Sequence, residues 1–227
     1  MNKITIAIDG FSSTGKSTVA KQLAKHLGYV YVDTGAMYRS VAYYAMQNGL
    51  ITKEAFNVEA LVDQLSNINI TFKFNDDLGF AEVYLNDVNI EKDIRTLEVS
   101  KFVSTVASVS EVRKKLVEQQ QKMGENKGVV MDGRDIGTVV FPNAELKLFM
   151  VASAETRAKR RYQELIEKGD QVTYEAVLKN VEERDFLDTT RADSPLVKAE
   201  DAIEFDNSIL TKEEQFQKLL ALVEAKL

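Results

Sequence analysis

The stretch ITIAIDGFSSTGKSTVAKQLAKHLG, residues 4–28, leaves the chain little choice of fold. ITIAI (4–8) is a short β-branched run that predicts a buried parallel strand. GFSSTGKST (10–18) then meets the pattern G-x-x-x-x-G-K-[ST], with Gly10, Gly15, Lys16 and Ser17 in the fixed places. Val19, Ala20, Leu23 and Leu27 follow at helical spacing, and Gly28 stops the helix. Strand, glycine loop and helix in that order make a phosphate cradle. The glycines let the N–H groups of Ser12, Ser13, Thr14, Ser17 and Thr18 converge on phosphate oxygens, and the helix N-terminus adds the positive end of its dipole. Lys16 is placed to bridge β- and γ-phosphates, and Ser17 to coordinate Mg²⁺ through its hydroxyl. Such a loop names what is held and leaves the reaction open.

The rest of the chain alternates strands with helices. YVYV (29–32) predicts a second strand, and Thr34–Gly35 open a helix to about Asn48, with Gly49 ending it. EAFNVEALVDQL (54–65) predicts another helix. This rhythm implies a parallel sheet with right-handed crossovers. Residues 68–90 break it: INITFKF, a polar NDDLG and FAEVYLNDVNI predict an antiparallel hairpin or small meander, inserted in the α/β core. Helices over 97–109 and 110–123 precede a strand at 128–132. ELKLFMV (145–151) is the next strand, then come helices over 154–168 and 173–186, the strand AIEF (202–205) and a terminal helix from Lys212.

A chain of 227 residues is one large domain or a core with a subdomain. It has no cysteine, which excludes disulfides and thiolate metal sites and suits a reducing compartment. The apolar run at the N-terminus is too short for a signal peptide, and no stretch of about 18 apolar residues spans a membrane. A cytoplasmic protein without a membrane partner is expected. The net charge of −6 argues against broad nucleic-acid binding. Its 20 lysines are scattered, whereas most of the 9 arginines fall in a few short segments. Arginine offers a rigid fork of donors suited to phosphate and carboxylate, so the clustering suggests several oxyanions bound together.

GVVMDGRDIGTVVF (128–141) is a buried strand that breaks off into two carboxylates and a guanidinium. Asp132 is a metal-organising acid if the chain is an ATP-hydrolysing motor; otherwise the cluster grips a second substrate. VDTGAMYRS (32–40) puts Arg39 one turn beyond Thr34, at a strand end where ligands bind in open α/β sheets. ERDFLDTTRADSP (183–195) sets Arg184, Asp188 and Arg191 on one helical face, a ligand grip or a salt-bridge ladder. ETRAKRRYQEL (155–165) brings Arg157, Arg160 and Arg161 together, which repel unless an anion sits among them or Glu155 and Glu164 screen them. The loop EKGDQVTY after it is long enough to move, and a hinged arginine-bearing lid excludes water from a phosphoryl transfer. The guanine-reading motif N-K-x-D does not occur. His26, the single histidine, is expected to face solvent or to pack.

Taken together, GFSSTGKST, DTGAMYR, DIRTLEV, DGRDIGTVVFP, ETRAKRR and ERDFLDTTRADSPL resemble the bacterial cytidylate kinases, in the long form with an enlarged nucleotide-binding insertion. The resemblance runs over essentially the whole chain. Phe11 departs from it, standing where the family usually has Pro, and Thr34 keeps a hydroxyl where relatives carry Ser. The resemblance implies a P-loop kinase of nucleoside monophosphates: one domain over 1–227, a parallel sheet flanked by helices, an acceptor-binding insertion at about 35–125 with a small antiparallel sheet, and a helical lid at about 155–175. It implies transfer of the γ-phosphoryl of ATP, with Mg²⁺, to CMP or dCMP by a monomer. Arg39, Arg134 and Arg191 would bind the acceptor phosphate. Ser104, Arg113 and Asp135 would read cytosine, Arg184 and Asp188 would hold the ribose hydroxyls, and Thr34 and Tyr38 would line the acceptor. Lys16, Arg134, Arg157 and Arg161, with Arg160, would stabilise the transferring phosphates. Arg95 receives no role from it.

Overall fold

Six consecutive buried residues, Thr5–Gly10, form β1 at the centre of a five-stranded sheet. The computed structural model describes residues 3–77 and 79–227; Met1 and Asn2 lie outside the described residues, as does Leu78 in the polar link expected between two antiparallel strands. Around β1 stand β2 (Val30–Asp33), β6 (Val129–Gly133), β7 (Leu146–Val151) and β8 (Ile203–Asp206), in the order β2-β6-β1-β7-β8. Every pairing among them is parallel. Strands that run the same way deliver their C-terminal ends to one edge, where ligands of open α/β sheets bind.

The chain divides into two compact units, Met1–Thr34 with Val117–Leu227, and Gly35–Leu116. The first holds the parallel sheet with α1 (Lys16–Leu27), α6 (Ala154–Glu167), α7 (Tyr174–Thr190) and α8 (Lys212–Glu224). Ile6, Ile8, Val130, Leu146, Leu148 and Met150 of the sheet form a core with Val19, Ala20 and Leu23 of α1 and Leu219, Leu220 and Val223 of α8. Ser153, Thr173 and Thr211 cap α6, α7 and α8 by accepting from a backbone N–H three residues on. No helix among the described residues is long and apolar enough to cross a membrane.

The second unit holds most of α2 (Thr34–Gln47), then α3 (Val58–Asp63), the antiparallel strands β3 (Ile70–Asn75), β4 (Phe80–Leu85) and β5 (Val88–Asn89), α4 (Leu97–Ala107) and the first half of α5 (Ser110–Met123). The meander expected at 68–90 is therefore present, with three strands. The helix expected over 54–65 is shorter. Thr52 Oγ1 accepts from the N–H groups of Glu54 and Ala55, Ile51 bridges to Phe56, and Asn57 caps the helix at Ala60. A hydroxyl and an amide that bind nearby backbone thus take the first turn away from the helix.

Two further differences lie near the sheet edge. The apolar run after Asp135 is a π-helix, Ile136–Val140, a rare form that is frequent at functional sites. The helix expected over 173–186 runs on to Thr190, and Arg191 follows it in extended backbone, off the helical face on which it was expected. Arg191 folds back onto the Ser194 carbonyl with Nε and Nη2, at 2.8 and 2.6 Å, and the Leu196 N–H closes on the Asp188 carbonyl.

Candidate functional site

β1 hands the chain to the glycine loop at Gly10, where φ is 141° and a Cβ would lie 2.1 Å from the Met150 carbonyl oxygen. Only glycine passes this point between β1 and β7. Gly15 adopts φ 92° at the start of α1 and has no side chain to cap it, which leaves the helix's first N–H groups to an anion. Lys16 is buried, with Nζ donating to the Phe11 carbonyl at 2.6 Å and reaching Thr14 Oγ1 at 3.4 Å. Burial, then the charge of Arg134, pulls its pKa down to about 7 against the counter-pull of Asp132 and Asp9. Ser12 is also buried, and its Oγ has no hydrogen-bond partner among the described residues.

Ser17 Oγ donates to Asp132 Oδ2 at 2.9 Å, while the Tyr31 hydroxyl donates to Oδ1 at 2.8 Å. Asp132 sits opposite Asp33 in the β2–β6 register. Burial, then the Asp33 charge, raises the Asp132 pKa to about 6. A hydroxyl beside a carboxylate is a hard-oxygen donor set that fits Mg²⁺, which takes one or two protein oxygens and completes its shell with phosphate and water. No cluster of three or more His, Cys, Asp or Glu occurs among the described residues, so nothing here resembles an all-protein metal cage. Thr34 Oγ1 donates to the Asp132 carbonyl at 2.7 Å, and a Cβ at Gly133 would strike that hydroxyl at 2.6 Å.

Beyond β6 the charges interlock. Arg134 Nε donates to Asp188 Oδ2 at 2.9 Å, and Arg191 Nη2 lies 4.0 Å from Asp135 Oδ1. Burial would push Asp188 up, but Arg134, Arg184 and Arg191 together hold it below the usual carboxylate range. Burial and neighbouring Arg134 lower Arg184 to about 10, with Asp188 opposing. The parallel sheet and α7 therefore bring Arg134, Asp135, Arg184, Asp188 and Arg191 into one buried constellation.

The three arginines of α6 have separate partners, so they do not repel as a bare triplet. Arg157 makes two bonds to the Asp185 carboxylate of α7, donates to the Ala152 carbonyl, and lies 5.0 Å from the Phe11 ring centroid. Phe11 thus packs on an arginine of α6. Arg160 donates to the Thr14 carbonyl and to both oxygens of Asn207, whose amide also bonds Thr14 and Gln215. Arg161 pairs with Glu164 at 2.9 Å.

The other expected residues lie in the second unit. Arg39 donates to the Ile94 carbonyl at 3.2 Å. Arg113, 2% exposed, donates to the Ala107 carbonyl and lies 5.5 Å from the Tyr38 ring centroid. Ser104 is buried on α4, and its Oγ has no hydrogen-bond partner among the described residues. Arg95 forms an ion pair with Glu91, a structural role. His26 is exposed with its ring edge against Phe216, as expected of a residue outside the chemistry.

The chain matches the cytidylate kinase family over residues 6–225. The chain belongs to this family. The cytidylate kinase of Flavobacterium johnsoniae is 73% identical over 223 residues, covering 98% of this chain and 97% of that one. The cytidylate kinase of Flavobacterium psychrophilum is 67% identical over 98% of this chain and 99% of its own. An uncharacterized protein from Eubacterium ventriosum, at 14% identity and a TM-score of 0.50 over 99% of both chains, shares the fold alone.

Within this member of the cytidylate kinase family, four residues escape a reading by motif. Tyr31 and Asp185 orient Asp132 and Arg157, and Asn207 ties β8 to the glycine loop. Asp9 accepts from the backbone of the π-helix. A carboxylate that closes an apolar run was the available signal for Asp9; Asn207, Tyr31 and Asp185 carried none.

Proposed function

We propose that the chain transfers the γ-phosphoryl group of ATP to CMP or dCMP, giving ADP and CDP or dCDP. One observation carries the reading beyond family membership: a phosphate cradle and a separate buried arginine–carboxylate constellation stand at the same edge of one parallel sheet. One triphosphate does not need both.

In this reading Gly10 to Thr18 cradle the ATP phosphates, and Lys16 adds positive charge between them. Ser17 and Asp132 would hold Mg²⁺, which neutralises phosphate charge when bound. Arg39, Arg134 and Arg191 grip the acceptor phosphate; Arg184 and Asp188 hold the ribose; Tyr38 and Thr34 line its place. Asp135, with Ser104 and Arg113, reads the base. An ionised carboxylate only accepts, so it suits the N4 amino group of cytosine and disfavours the oxygen that uracil presents there. The attacking phosphate oxygen is already anionic, so no protein base is required. Alignment and charge stabilisation by Lys16, Arg134, Arg157 and Arg161 do the work, with Arg160 bracing the cradle. We further read residues 35–125 as the acceptor-binding insertion and 155–175 as the lid of a cytoplasmic, monomeric enzyme.

ADP release measured over CMP, dCMP, UMP and AMP tests this. CMP and dCMP are expected to lead; UMP or AMP outpacing them sinks the cytosine assignment, and turnover that needs no acceptor sinks the kinase reading.

A further inference from the structure

Asp9 has no part in the mechanism above, yet it is the one charged side chain of β1 and is buried to 5% exposure directly before Gly10. Both of its carboxylate oxygens are in use. Oδ1 accepts from the Ile136 N–H at 2.8 Å, and Oδ2 accepts from the Gly137 N–H at 2.7 Å. These donors open the π-helix, and the first N–H groups of a helix need an acceptor from outside it. An Asp immediately before a helix ordinarily supplies that acceptor itself. Asp135 occupies that position, but its side chain makes no capping bond. Its carbonyl instead takes the N–H groups of Val139 and Val140, while its carboxylate turns to Arg191, 4.0 Å away. Asp9 has taken over the cap from the neighbouring strand.

The surroundings are built for this substitution of roles. β1 and β6 pair with Asp9 opposite Gly133, so the strand that carries Asp9 also fixes the point where Arg134 and Asp135 leave the sheet. Gly137 lets the π-helix come close, since a Cβ there would lie 3.3 Å from Asp9 Oδ2 and 3.1 Å from Lys147 Cδ.

We propose that Asp9 is a positioning residue for base selection: by capping the π-helix from β1 it releases the Asp135 carboxylate from the capping position and aims it, with Arg134, at the acceptor. Because Asp9 is bonded in sequence to Gly10, the same residue fixes that aim relative to the phosphate cradle. The inference rests on the acceptor role proposed for Asp135.

Asparagine at position 9 keeps the shape but offers one acceptor and one amino group, so one backbone N–H meets another donor. Asp135 then becomes the competing cap. The test compares full-length wild type with Asp9→Asn and Gly137→Ala, by kcat/KM for CMP and for UMP and by affinity for a fluorescent ATP analogue. In folded variants the CMP-over-UMP ratio is expected to fall by about tenfold, with ATP-analogue affinity held within about twofold. An unchanged ratio, or an ATP-analogue affinity that falls in step with it, overturns the proposal. Should Asp9→Asn not fold, Gly137→Ala decides by the same outcomes. A wild type that shows no preference for CMP sinks the acceptor reading and this inference with it; a preference that both variants retain sinks this inference alone.

Discussion

Tyr31 and Asp132 are joined across β2 and β6 by a hydrogen bond of 2.8 Å, and this bond orients the carboxylate that Ser17 touches from the other side. Asp132 is therefore held at both oxygens by hydroxyl donors. Tyr31→Phe leaves Oδ1 buried without that donor, which costs about 1–3 kcal/mol. The urea midpoint is expected to fall accordingly. The proposed Mg²⁺ role adds a second readout: the Mg²⁺ concentration for half-maximal rate should rise several-fold, and an unchanged titration would remove Asp132 from the ion's shell.

Asp185 holds Arg157 with two bonds while Phe11 lies against the guanidinium. Asp185→Ala strands a buried cation, and breaking a buried pair from one side costs roughly 3–5 kcal/mol. Asp185→Asn keeps an acceptor and should cost less. Denaturant unfolding of the two variants checks the order, and equal losses would show that an acceptor without the charge of Asp185 contributes nothing.

Arg191 gives two donors to the Ser194 carbonyl and stands beside Asp135. Its proposed contact is with phosphate, which every nucleotide carries. Arg191→Ala should therefore weaken CMP, dCMP and UMP together, by about 10- to 100-fold in KM, as expected for one charge-assisted contact. A loss confined to CMP would move Arg191 from the phosphate to the base.

Asp9 also sets a pH dependence. Burial is the largest influence on it and raises its pKa from 3.8 to about 7, against the two backbone N–H bonds from Gly137 and Ile136; nearby Asp135 adds to the rise and Lys16 opposes it. A carboxyl whose folded pKa lies above its unfolded value binds its proton more tightly when folded. Its contribution is fully present below pH 3.8 and is lost as pH rises to about 7. The ligand-free unfolding free energy from urea titration should decline across that interval, by up to ~4 kcal/mol from this group alone. Asp9→Asn should flatten the decline; an equal slope in the variant would assign it to other groups.

The sheet and its loop were legible because each element carried its own punctuation: an apolar run, Gly10 and Gly15 at the cradle, Gly28 after α1. The order of strands was not, since nothing local says that β6 lies between β2 and β1. The 54–57 stretch failed because Thr52 and Asn57 bind backbone more strongly than the helical period organises it. At the site, the residues proposed to bind phosphate follow motifs, and their partners do not. Asp185 is one acid among several on α7, and only the packing of α6 against α7 puts it on Arg157. The π-helix was hidden as well, because its cap lies 127 residues away at Asp9.

The pairing of arginines with acids has a further consequence. Arg134, Arg157, Arg161 and Arg191 each already face a carboxylate of this chain: Asp188, Asp185, Glu164 and Asp135. These arginines thus carry their own counter-ions, and in the proposed function a nucleotide would take them up by ion exchange. Chloride or any other weak monoanion has little to gain there, whereas a multiply charged phosphate can outbid the resident acids. On that reading the site would discriminate by charge before it discriminates by base.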